Sequence, residues 1–80
     1  MPNLGRKAEL VDDFAAVVKA RRIGLGVTQE AIAYAAKLEQ TVVSKIERGS
    51  HRPGAAIARR LALALKLPES ALIKLADPEQ

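Results

Sequence analysis

Apolar residues recur at helical spacing along most of this chain, and the breaks in that pattern mark its elements. Leu10, Phe14, Val17, Val18 and Ile23 form one stripe, which predicts a first helix from about Leu10 to Leu25. Asp12 and Asp13 lie near its start, where negative charge favours the helix dipole. Gly24 and Gly26 bracket Leu25 and end it, since glycine accepts the left-handed cap. Thr28 then opens a second helix with a hydroxyl able to take an unpaired first-turn amide, and Glu30 adds negative charge there. Ile32, Ala33 and Ala36 give that helix a buried face. Lys37 and Leu38 interrupt the pattern, Val43 and Ile46 resume it on a third helix, and Gly49 follows as a cap. The spacing is that of two short helices joined by a tight turn.

Ser50-His51-Arg52-Pro53-Gly54 is a loop by its proline and glycine. A fourth helix follows from near Pro53 or Gly54 to Leu65, with Ile57, Ala58, Leu61, Ala62 and Leu65 on one broad face. Pro68 disfavours helix in the residue before it and so stops this run at Lys66-Leu67. A fifth helix from Glu69 or Ser70 to about Ala76 offers Leu72, Ile73 and Leu75. No strand pattern or repeat interrupts the series, so the fold class is all-α with five helices. Residues 1–9 read as a flexible N-terminal arm, 10–76 as the domain, and 77–80 as a flexible tail. Arg6 and Lys7 on the arm are either solvated or able to reach along a backbone of phosphates.

Composition narrows the chemistry. Eighty residues make one domain, and one this small needs a dense aliphatic core. The chain has no cysteine and a single histidine, His51, so neither a disulfide framework nor a thiolate or multi-histidine metal site is expected. No glycine-rich phosphate loop or paired carboxylates in a cleft suggest catalysis, and no cofactor or small-molecule ligand is implied. Aliphatic stretches are broken by Arg or Lys well short of the ~18 residues of a membrane span. Acidic residues stand where a signal peptide would run apolar, so a cytoplasmic location is expected.

Charge adds direction. Between Lys37 and Arg60 lie Lys37, Lys45, Arg48, Arg52, Arg59 and Arg60 against only Glu39 and Glu47, and this segment carries the whole net charge of +4. Basic residues on the third helix and the loop after it match a phosphate-contacting footprint. Arg59 and Arg60 read equally as exposed helix residues.

These residues resemble the lambda-repressor-like, or XRE/Cro-type, helix-turn-helix DNA-binding domains. The likeness rests on Thr-Gln-Glu-Ala-Ile-Ala from Thr28, Ser-Lys-Ile-Glu-Arg-Gly from Ser44, and Leu-Ala-Leu-Ala-Leu-Lys-Leu from Leu61, and covers about residues 10–75. The family usually has glycine at the turn, where this chain has Lys37. It usually caps the recognition helix with Ser or Thr, where this chain has Glu39. A non-glycine residue held left-handed costs about 1–2 kcal/mol, which packing can offset.

The resemblance implies that the third helix enters the major groove of double-stranded DNA with its N-terminal residues on base edges. Gln40, Thr41, Ser44 and Lys45 are then the candidate base contacts, with a solvated helix surface as the alternative for each. Gln40 matches adenine, Lys45 guanine, and the Thr41 methyl a thymine methyl. Thr28, Gln29, Arg48, His51 and Arg52 are candidate phosphate contacts, Gln29 also steadying Gln40. Arg22 and Glu47 are expected to form an ion pair between the first and third helices.

One domain presents a single recognition helix, so specificity points to a homodimer on an inverted repeat. Leu63, Leu67, Leu72, Ile73 and Leu75 are the candidate interface, being in excess of what one small core needs. The function expected is a transcriptional regulator, a repressor or operon controller. An antitoxin-like interaction module that also binds DNA is the alternative.

Overall fold

The computed structural model describes residues 2–77, with side chains described from residue 14 onward. Five α-helices make up this part of the chain: α1 (Pro2–Leu25), α2 (Gln29–Ala36), α3 (Gln40–Glu47), α4 (Ala55–Ala64) and α5 (Glu69–Ile73). Helix α1 therefore begins well before Leu10, through the segment expected as an arm. Residues 78–80 of the expected tail lie outside the described residues. Asp77 is not loose: its N–H donates to the Pro53 carbonyl at 2.9 Å, and it pairs with Gly54 in an isolated parallel bridge. The α4 start and the end of α5 are thereby stitched together.

One aliphatic core gathers a few residues from every helix. Phe14 and Val18 of α1 meet Ile32 and Ala36 of α2, Ile46 of α3, Ala58, Leu61 and Ala62 of α4, then Leu65 and Leu72. Alanine at three of these positions lets helix axes approach closely around the larger side chains. Ile23, expected on the α1 stripe, is instead 58% exposed, because the stripe turns away from the core as α1 reaches its end. Leu72, expected at an interface, is fully buried: short α5 lies against α4 and directs it into the domain's own core.

Four chain reversals share one geometry. The chain turns left-handed one residue past the helix at Gly26 (φ 73°) and Lys37 (φ 60°), and two residues past it at Gly49 (φ 79°) and Lys66 (φ 59°). In each the next N–H reaches back five residues: Val27 to Arg22 (3.3 Å), Leu38 to Ala33 (2.8 Å), Ser50 to Lys45 (3.0 Å) and Leu67 to Ala62 (2.8 Å). This is the Schellman closure, which satisfies carbonyls the helix leaves open. Glycine takes the conformation without penalty at two of the turns, and lysine bears a strain of about 1–2 kcal/mol at the others.

Both lysine turns have an arginine clamp. Arg60 donates from Nε to the Ala36 carbonyl and from Nη2 to that of Lys37, each at 3.1 Å. Arg21 does the same at the end of α4, to Leu65 at 2.9 Å and Lys66 at 3.3 Å. A guanidinium on the last carbonyls supplies both hydrogen bonds and positive charge at the negative helix end. Arg60 is thus a clamp on the turn that sets α3 against α2, while Arg59 pairs at the surface with Glu69 at 3.3 Å.

Candidate nucleic-acid interface

Helix α3 is amphipathic in the simplest sense. Val43 and Ile46 are buried on one side, while Gln40, Thr41 and Lys45 are exposed on the other and Ser44 is half-buried between them. The exposed group is polar and carries one positive charge, so the face offers hydrogen-bond donors and acceptors without an apolar patch. At its start Glu39 is extended and makes no side-chain cap, in contrast to Thr28 on α2, whose Oγ1 accepts from the Ala31 N–H at 3.0 Å.

What fixes α3 is a fork of charge behind that face. Arg22 Nε donates to Glu47 Oε2 at 2.7 Å and Arg22 Nη2 to Glu47 Oε1 at 3.1 Å. The third donor, Arg22 Nη1, goes to the Val27 carbonyl at 2.9 Å. One guanidinium therefore joins the end of α1, the loop before α2 and the end of α3. Glu47 is only 3% exposed and Arg22 15%, so both are largely cut off from water. The hydrogen bond to Glu47 raises the Arg22 pKa above its usual value; burial opposes this and the carboxylate's charge reinforces it. A buried, bidentate pair of this kind is directional, and removing either partner strands a charge.

The network continues outward. Gln29 Nε2 donates to Glu47 Oε1 at 3.0 Å, and Gln40 Nε2 donates to Gln29 Oε1 at 3.5 Å. Half-buried Gln29 thus stands between the ion pair and the exposed Gln40. On the same helix Arg48 Nη1 donates to Ser44 Oγ. Ser50 Oγ donates to the Lys45 carbonyl at 3.1 Å, tightening the turn into the loop that carries His51 and Arg52, both half-buried.

The sequence-predicted residues consequently fall into three groups. Gln40, Thr41, Ser44 and Lys45 share α3, with Thr28 and Gln29 beside them at the start of α2 and Arg48, His51 and Arg52 just beyond its end. Arg22 and Glu47 lie behind them. Of the expected interface leucines, Leu63 is 61% exposed, Leu67, Ile73 and Leu75 are half-buried against the core, and Leu72 does not belong to the group. Sequence reasoning missed Arg21 and Arg60; the paired Lys-Leu steps at 37–38 and 66–67, each after an alanine-rich helix, are the signal that such clamps were needed. A shallow apolar groove between α1, α2 and the end of α4, lined by residues including Leu25, Ala31 and Ala64, takes no residue from α3. Among the described residues no group of three His, Asp or Glu could hold a metal ion, and no helix is long and apolar enough to cross a membrane.

Comparison with known proteins gives this arrangement a setting. The family model for a helix-turn-helix domain matches residues 13–73. The restriction-modification controller protein C.AhdI from Aeromonas hydrophila superposes with a TM-score of 0.74 at 29% identity, covering 81% of this chain and 97% of that one. The controller C.Esp1396I, solved as a tetramer in complex with its natural 35-base-pair operator, gives 0.73 at 27% identity, covering 82% and 87%. A transcriptional regulator from Vibrio cholerae gives 0.73 at 25% identity over 81% of this chain but 36% of its own length. Curated protein sequences give no match. With its five-helix, lambda-repressor-like fold and α2–α3 as the two motif helices, this chain belongs to the helix-turn-helix domain family of DNA-binding transcriptional regulators.

Proposed function

We propose that the protein is a sequence-specific operator-binding regulator, acting as a homodimeric repressor or operon controller on an inverted repeat in the cytoplasm. The observation that carries this reading is the exposed polar face of α3 backed by the buried Arg22–Glu47 fork, a rigid helix surface with no other evident use. Gln40, Thr41, Ser44 and Lys45 read base edges in the major groove, each good bidentate pair contributing roughly 1–3 kcal/mol of discrimination. Thr28, Gln29, Arg48, His51 and Arg52 hold the phosphates on either side and set the register. Restriction-modification control by its structural neighbours supports the controller role.

Pairing of two protomers uses exposed Leu63 together with the half-buried Leu67, Ile73 and Leu75 on the α4–α5 side. The two copies of α3 then address half-sites about 34–36 Å apart. Selection of bound sites from random DNA duplexes tests the reading. An enriched inverted repeat with that spacing is the expected result; enrichment of no sequence would rule out operator recognition.

A further inference from the structure

We infer that Glu47, besides holding the fold, sets the hydrogen-bonding polarity of Gln40 through Gln29 and so restricts the base that Gln40 accepts. The inference rests on the reading of α3 as the base-facing helix and adds a positioning role to a residue otherwise structural. An ionised carboxylate accepts hydrogen bonds and donates none. The Glu47 carboxylate, which accepts two hydrogen bonds from the Arg22 guanidinium, takes the NH2 end of the Gln29 amide at 3.0 Å. That leaves the Gln29 oxygen facing outward, where it takes an N–H of Gln40 at 3.5 Å. The direction of donation thus runs from Gln40 to Gln29 to Glu47, and the charge at its inner end forbids the reverse.

The consequence is chemical. With one N–H of Gln40 turned back to Gln29, one N–H and the Oε1 oxygen remain on the exposed edge, a donor beside an acceptor. Adenine presents the complementary acceptor and donor at N7 and N6 in the major groove, whereas guanine presents two acceptors, N7 and O6. Were the relay reversed, Gln40 would accept through its oxygen and show both N–H groups outward, a pattern guanine satisfies. Glu47 is itself 3% exposed and stands behind Gln29, so it exerts this preference without touching DNA.

The test compares selected duplexes for the wild type, Gln29→Met and Glu47→Gln. Methionine keeps the length of Gln29 and removes the relay. A glutamine at 47 can accept from Arg22 yet can also donate to Gln29, so it frees the polarity. The expected result is adenine at one half-site position for the wild type. In both variants guanine is admitted at that position, the adenine-over-guanine ratio falling at least about fivefold. Other positions stay unchanged, and the double variant is no worse than either single, as for residues acting in one chain. Gln29→Met leaves the Arg22–Glu47 fork in place and stays folded with at most a modest drop in melting temperature, so that variant decides the matter even if Glu47→Gln folds poorly. The inference fails if Gln29→Met keeps the wild-type adenine-over-guanine ratio, whatever general weakening follows from loss of its phosphate contact. It also fails if the wild type selects a site without adenine preference. A wild type that selects no site overturns the operator reading itself, a distinguishable outcome.

Discussion

Around α2 and α3 the chain is tied by directional polar contacts, whereas α4 and α5 are held chiefly by aliphatic packing. On the first side Arg22, Glu47, Gln29 and Gln40 form one connected series of hydrogen bonds at 2.7 to 3.5 Å. On the second, Leu61, Leu65 and Leu72 are fully buried and Leu63 points to solvent. Burial of aliphatic surface stabilises in proportion to area and is indifferent to direction. A charge-assisted network fixes where particular atoms point. The proposed reading of donor and acceptor patterns needs the second kind of support, and the proposed association of protomers can be built on the first.

The comparison can be broken by substitutions of decreasing effect. Glu47→Ala should be the most damaging: it strands Arg22 in a largely buried site, a loss of about 3–5 kcal/mol by denaturant unfolding. Leu72→Ala leaves a cavity under α5 and should cost about 2–5 kcal/mol while leaving the relative preference among DNA sequences intact. Arg60→Ala removes the clamp from the strained Lys37 turn, for a loss of about 1 kcal/mol in the thermal unfolding midpoint analysis. Lys37→Gly relieves the left-handed conformation and should stabilise by about 1 kcal/mol or less, with α3 in the same place. Leu63→Glu, at a 61% exposed position, should change monomer stability by less than about 0.5 kcal/mol, yet shift the proposed dimer to monomer in sedimentation.

The two regions also differed in how far they could be read in advance. The α2–α3 pair was legible because Thr28, Ile32, Ala36, Val43, Ile46 and Gly49 combine helical period with cap chemistry, signals local in sequence. The polarity of the relay was not legible, because it depends on three side chains from two helices meeting within hydrogen-bond reach. On the other side, an excess of leucine at 63–75 was evident, but its division was not. Leu72 and Leu63 are both leucines on short helices, and only the docking of α5 on α4 decides that one is core and the other surface. The arginine clamps were hidden for the same reason: Arg21 and Leu65 are 44 residues apart, and Arg60 and Ala36 are 24 apart. Pro2 and Gly5 favour a loop on composition, yet α1 starts at Pro2, since proline fits the first turn of a helix, where its missing N–H goes unneeded.

The proposed role of the α3 face is to read sequence, with the polar network behind it giving that face its precision. Equilibrium binding of the wild-type protein to its selected duplex and to a scrambled duplex of equal length, at one near-physiological salt concentration, tests it most directly. Binding to the selected duplex is expected to be tighter by at least about a thousandfold. Equal affinity for the two, falling together as salt rises, would contradict that role and leave α3 as a general phosphate-binding surface.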